Sequence, residues 1–340
     1  MERARRGYIL LIAIGIISVL SLLVVRMSTR VIVFYRLNTV LMRREQAKLI
    51  ALSGVQCVIA QLLLGQGDQH KDHVAQKKPQ GFEARRSAAI RAVLKTINRW
   101  MSFSFTQEND GIDGSCMVYT SCDDGKLGQE LFFDLYTMQP LKISQAAMIN
   151  QKASALFSTA GRQIDFARTI DQLIKKKNRE LLDITELLDD ERMNFFSRQL
   201  FMSLKGTFSV SDLFSIDRKG FLLQPWALSQ TVASLFGWKA LSGLDDALHK
   251  NLDELFREPE ESISLAKLFT VLYGEKRQAF INEISSVFHK RFEANLFTVI
   301  SYGTYEDIVV KICVIIERQQ RARSGKDERD QFFIKKIYWL

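Results

Sequence analysis

Residues able to do chemistry are few in this sequence, and they are scattered. Of its four histidines, His70, His73, His249 and His289, only the first two are neighbours. A metal pair at His70 and His73 has no nearby cysteine or third histidine, so a solvated loop is the simpler reading. His249 and His289 stand alone among apolar stripes and read as surface or packed residues. Acidic side chains gather at residues 186–191, at residues 258–261 and at Asp123-Asp124. Carboxylates at 258–261 suit the first turn of a helix, and two or three of them without a loop pattern do not make a calcium site. No phosphate-cradling glycine loop, Gly-x-Ser-x-Gly elbow or His-Glu-x-x-His is present. We therefore expect no catalytic residue, no metal and no cofactor, and no enzyme.

The four cysteines leave the compartment open. Cys116 and Cys122 flank one apparent strand, where six residues span about 20 Å, too far for a disulfide in a straight strand. Cys57 and Cys313 lie far apart in the chain. Formal charge is +9, with 47% hydrophobic and 25% charged residues, a globular composition. No segment concentrates cations with interleaved aromatics, so nucleic acid is not an expected partner.

The clearest chemistry is one that would be done to the chain. Arg3, Arg5 and Arg6 precede Gly7, and Gly7 precedes an uncharged apolar run over residues 8–25. At 1.5 Å per helical residue that run is about 27 Å long, enough for the hydrocarbon core of a bilayer. No Ala-x-Ala site follows it, so a conventional cleaved signal peptide fits poorly. Helical patterning continues to Leu64 without a proline. Ala47, Ala51 and Gly54 share one face there, and another helix could approach closely along it.

This N-terminus resembles the type IV prepilin family, whose members are cut after the leader glycine and then N-methylated. The resemblance implies cleavage between Gly7 and Tyr8, methylation of Tyr8, and prepilin peptidase as a partner. The family's usual glutamate at the fifth mature position is absent, since Ile12 stands there. With the Ala-x-x-x-Ala-x-x-Gly stalk, that absence looks like the K-type minor pseudopilins of type II secretion systems. Asp123-Asp124-Gly125-Lys126 is similar to a segment of those proteins. Their asparagine-rich continuation is replaced by Gly128-Gln129-Glu130-Leu131.

The rest of the chain reads in blocks. Residues 65–81 form a polar linker, and residues 82–103 an amphipathic helix with Ile90, Val93, Leu94, Ile97, Trp100 and Met101 on its apolar face. Period-two patterning over Met117–Thr120 and again from Leu127 to Tyr136, with Asp-Gly between, predicts a β-hairpin. From about residue 142 to 295 the period is helical, with stripes such as Ile164, Ala167, Ile170, Leu173, Ile174 and Met193, Phe196, Leu200, Phe201, Leu204. A helix is expected over residues 225–236, another through Leu244, Leu248, Leu252 and Leu255, and two more over 262–273 and 278–292. Strands return after Leu296. Ile308, Val310, Ile312, Val314 and Ile316 fall on one face and Val309, Lys311, Cys313, Ile315 and Glu317 on the other, and a last strand closes on Trp339.

A lone hairpin is marginal in water, so the two strand-rich ends should complete one sheet. The expected fold is α+β: a long N-terminal transmembrane and stalk helix, a pilin-like α/β body with an antiparallel sheet, and a large inserted α-helical domain. The expected partition is a leader (1–7), a transmembrane segment (8–25), a stalk (26–64), a linker (65–81), a body (82–141 and 296–340) and an insert (142–295). By the resemblance this is a minor pseudopilin at the tip of a secretion pseudopilus, partnered by other minor pseudopilins and the major pseudopilin. It would sit in the bacterial inner membrane as a single-pass protein with its bulk in the periplasm. Arg26, Arg30, Arg36, Arg43 and Arg44 after the apolar run argue the other way, because the positive-inside rule alone puts the bulk in the cytoplasm. We follow the leader, the more detailed pattern. The alternative is a single-pass membrane protein with a helical protein-binding ectodomain, unrelated to pilins.

Overall fold

The computed structural model describes residues 2–67, 90–141, 144–157, 164–194, 199–202, 204, 208–218, 220–243, 246–256, 263–292, 294–319 and 331–340. Helix α1 (Glu2–Gly67) is continuous over 66 residues, about 99 Å. It runs past the expected stalk end at Leu64, so residues 65–67 are helix, not linker. The histidine pair His70 and His73 lies outside the described residues. Along α1 the environment changes abruptly. From residue 13 to 42 the side chains are almost all exposed, including Ile17, Val24, Val31 and Phe34. From Ala47 onward one face is fully buried: Ala47, Ile50, Ala51, Gly54, Val55, Val58 and Leu62, at the spacing of a helical stripe.

Helix α2 (residues 90–96) buries Ile90, Val93 and Leu94 as the pattern predicts, but it stops before Trp100. Asn98 turns to φ +58, and its amide donates to the carbonyls of Leu228 and Leu241. Strand β1 (Trp100–Phe105) then takes Met101 into the same core by a different route. A short helix α3 (Gln107–Asp110) ends on Gly111 at φ +73 and leads to β2 (Gly114–Cys122).

No hairpin follows. Residues 123–125 make one 3-10 turn, and β3 (Leu127–Gly128) pairs in parallel with a distant strand instead of folding back on β2. Gly125 does not supply a positive φ. It is glycine because a Cβ there would sit 1.9 Å from the Ala227 carbonyl oxygen. Strands β4 (Phe133–Asp134) and β5 (Gln139–Pro140) close a small ribbon.

Short helices follow: α4 (Ser144–Leu156), α5 (Phe166–Lys177), α6 (Glu191–Asn194) and α7 (Val210–Leu213). Strand β6 (Phe214–Ser215) is the partner of β3. Then come α8 (Gln230–Leu235), α9 (Asp246–Phe256), α10 (Leu265–Tyr273) and α11 (Gln278–Ile284). Several are shorter than their stripes. Ser229 caps Val232 and splits the expected 225–236 helix after a 3-10 turn at Pro225–Ala227. Leu200 and Phe201 are buried without lying in a helix, and the 278–292 helix ends at Ile284. Trp238 gathers this region, stacking on Tyr273 at 4.6 Å and Phe236 at 5.1 Å.

The chain closes with β7 (Leu296–Tyr305), β8 (Ile308–Gln319) and β9 (Gln331–Trp339). They join β1 and β2 in one antiparallel sheet of order β1-β2-β7-β8-β9. β7 passes through Gly303, and the chain reverses at Glu306, φ +50, and Asp307. Strands β2, β7 and β8 are covered on both faces, while β9 is largely exposed. Val310, Ile312, Val314 and Ile316 join the α1 side, while Cys313 joins Tyr119, Ile300 and the short helices on the other. The residues between β2 and β7 enter both cores.

Candidate functional site

The stalk stripe is the first of two sites that position this molecule. Ala47, Ala51 and Gly54 do face a close neighbour, but it is the chain's own sheet and not a helix. A Cβ on Gly303 would lie 2.2 Å from the Ala47 carbonyl oxygen and 2.4 Å from the Ala51 nitrogen. Opposite, a Cβ on Gly54 would meet Cys116 Sγ at 2.6 Å and Ser301 Oγ at 2.9 Å. Small residues on both partners therefore let helix and strand touch backbone to backbone, and α1 crosses β2, β7 and β8 there. Below the seam, Arg43 clamps the turn after β7, with Nε 2.9 Å from Glu306 and Nη1 3.4 Å from Asp307.

Below that clamp α1 has no covering from the chain: Ile14 to Val25 present an apolar column to the outside, and the exposed apolar side chains from Met27 to Leu41 are interrupted by Arg26, Arg30 and Arg36. Among the described residues α1 is the one helix long and apolar enough to cross a membrane. Gly7, Tyr8 and Ile12 lie within its helical backbone.

The second site is a buried ionic node where the chain leaves the sheet and returns to it. Asp123 and Lys126 form a fully buried pair at 2.7 Å. Thr298 Oγ1 accepts from Lys126 Nζ at 2.7 Å and donates to Asp123 Oδ1 at 2.6 Å. Ser215 Oγ donates to Asp123 Oδ2 at 2.7 Å. Asp124 accepts from the Asn295 amide at 3.0 Å, and burial pushes its carboxyl above the ordinary range. Arg218 donates to the Lys126 carbonyl at 2.6 Å. The acidic pair and lysine singled out in the sequence are thus brought together, with Ser215, Arg218 and Thr298 added. No local signal marked those three, because their partner lies about ninety residues or more away.

At the node Asp123 and Lys126 pair with each other, while Asp124 and Arg218 are held by backbone groups. Burial pushes the Cys116 and Cys313 thiols up to about 12, away from the thiolate form, and all four cysteines are free. His289 is half-buried and held down to about 4 by burial and by Arg218 and Arg291. Two of the acidic residues in 186–191 are used in ion pairs: Glu186 with Lys177 (3.0 Å) and Arg179 (3.2 Å), and Asp189 with Lys177 (2.8 Å). Among the described residues no group of three His, Cys, Asp or Glu side chains is placed to hold a metal.

No protein-family model matches this chain, and no curated protein matches it. Among solved structures it is similar to a chain in the crystal structure of the GspK-GspI-GspJ complex of the enterotoxigenic Escherichia coli type 2 secretion system. The identity is 13% and the TM-score 0.45, over 89% of this chain and 99% of that one.

Proposed function

We propose that this chain is a membrane-anchored minor pseudopilin, a non-enzymatic subunit that assembles through α1 with other pilin-like subunits at the tip of a secretion pseudopilus. The observation that carries the reading is the division of α1. Its upper half is the packing partner of the chain's own sheet, and its lower half is an uncovered apolar column behind a basic leader ending at Gly7. Exposed apolar surface of that extent needs lipid or other apolar helices around it.

On this reading prepilin peptidase cuts between Gly7 and Tyr8, Tyr8 is N-methylated, and the body lies on the periplasmic side of the inner membrane. The partition into body (82–141, 296–340) and insert (142–295) belongs to the same proposal. The partners are other minor pseudopilins and the major pseudopilin. Ile12 bears on position in the filament. In pilin-like assemblies a carboxylate at this position neutralises the terminal amine of the subunit already in place. A carboxylate in hydrocarbon without such a partner costs several kcal/mol or a large pKa shift. A subunit with nothing above it gains nothing from the carboxylate, and Ile12 avoids the cost. Intact-mass analysis of the membrane-extracted protein from its native host tests the reading. A mature chain beginning at Tyr8 with one added methyl is expected. Retention of residues 1–7 would sink it and favour a plain single-pass anchor.

A further inference from the structure

Between the apolar run and the sheet, α1 carries cations with almost no counter-charge. Residues 26–48 hold Arg26, Arg30, Arg36, Arg43, Arg44 and Lys48 against Glu45 alone. Two of the six are used within the chain: Arg43 pairs with Glu306 and Asp307, and Lys48 pairs with Glu45 and sits over the Trp339 ring. Arg26, Arg30 and Arg36 are exposed on the uncovered stem, and no ion pair among the described residues includes them. Helical rise sorts them by depth. Arg26 directly follows the apolar run, Arg30 lies about 6 Å further, Arg36 about 15 Å and Arg43 about 26 Å. The headgroup layer on each side of a bilayer is about 5–8 Å deep, and charges are screened beyond about 8 Å at physiological salt. Arg26 and Arg30, one helical turn apart on one face, therefore fall in the headgroup layer. Arg36 is at the edge of reach and Arg43 is outside it.

We infer that Arg26 and Arg30 form a collar that recognises the phosphates of anionic phospholipids and fixes the depth of the stem. A guanidinium can give a phosphate two parallel hydrogen bonds, and its long apolar stem lets the head reach the interface. The inference rests on the reading of α1 as a membrane span. Full-length protein diluted from detergent into a mixture of neutral phosphatidylcholine vesicles and vesicles with about one-third phosphatidylglycerol tests it, the two populations being separated by flotation. Each headgroup arginine is worth about fivefold, so the wild type should favour anionic vesicles by about twenty-five-fold or more at low salt and lose most of this at high salt. The variant R26Q/R30Q should lose about twenty-five-fold of that preference. R44Q/K239Q, with the same change in charge outside the headgroup layer, should keep it. Equal distribution of the wild type, an undiminished preference in R26Q/R30Q, or an equal loss in R44Q/K239Q would each overturn the collar. Protein that enters neither vesicle would instead overturn the membrane-span reading on which it rests.

Discussion

Gly303 on the central strand and Ala47 on the stalk touch through backbone, with room for no side-chain carbon between them: a Cβ on Gly303 would come 2.2 Å from the Ala47 carbonyl. The obstacle is main chain on both sides, so it cannot rotate away. At Gly54 the atoms in the way belong to Cys116, Ser301 and Val118 side chains.

Gly303→Ala should therefore destabilise the protein by about 3 kcal/mol or more. Gly54→Ala should cost clearly less, because side chains give way and alanine gains about 1 kcal/mol of helix propensity over glycine. Urea unfolding in detergent, followed by tryptophan fluorescence, orders the two variants. Equal losses would show that main chain does not bar a side-chain carbon at Gly303.

Lys126→Met strands the Asp123 carboxylate in the interior and should cost about 3–5 kcal/mol. Adding Asp123→Asn removes the stranded charge, so the double variant should recover part of that loss. A double variant as unstable as the sum of the two single ones would mean that the pair is not coupled.

The outcome at Asp123–Lys126 shows what could be read in advance. Asp-Gly between alternating residues signals a hairpin, yet Gly125 serves a close approach to Ala227, and composition does not separate these two uses of glycine. The helix over 82–103 overran for a related reason. Trp100 and Met101 continue its i, i+3, i+4 pattern, but Asn98 at φ +58 turns the chain and a strand buries Met101. Strand β8 was legible residue by residue, since period two separates Ile312, Val314 and Ile316 from Cys313 when both faces are covered. The Ala47, Ala51, Gly54 stripe announced a close backbone approach without saying to what, because small residues suit a helix or a strand equally.

Stability should fall as pH drops from about 6.5 to about 4. Unfolded His289 takes up a proton near its ordinary value, while in the fold its pKa is lowered to about 4 by burial and by the Arg218 and Arg291 charges. Its Nδ1 also accepts from the Arg291 amide at 3.0 Å, a bond the protonated ring cannot accept. The unfolded state thus binds more protons in this window, and the folded state is fully favoured only above it. The loss is at most about 1.4 kcal/mol per pH unit, and less here because the ring is half-exposed. Urea midpoints of wild type and His289→Gln between pH 4 and 7 check this. A wild-type slope that the substitution leaves unchanged would assign it to other groups.

If Ile12 marks a tip subunit, site-specific crosslinkers placed along residues 13–42 should capture other subunits docking from below. Self-crosslinks repeating along a filament, as for a major subunit, would overturn the tip assignment while leaving the anchor in place.

The pairing of β2 with β7 sets an order of events. Residues near 118 pair first with β1 near 101 and find their second strand partner only near 301, and the buried stripe of α1 waits for that later strand. During synthesis at about 5–20 residues per second, the stripe from Ala47 to Leu62 stays uncovered for roughly 10–50 s. Until then β1 and β2 are a two-stranded ribbon, too small to hold it. The membrane can take the lower stem long before the upper stem has anything to pack on. Newly made chains stalled before residue 296 should leave residues 47–62 open to protease, and chains carried through β9 should protect them. The late strands would then act as a latch, closed only on a stalk that is already anchored.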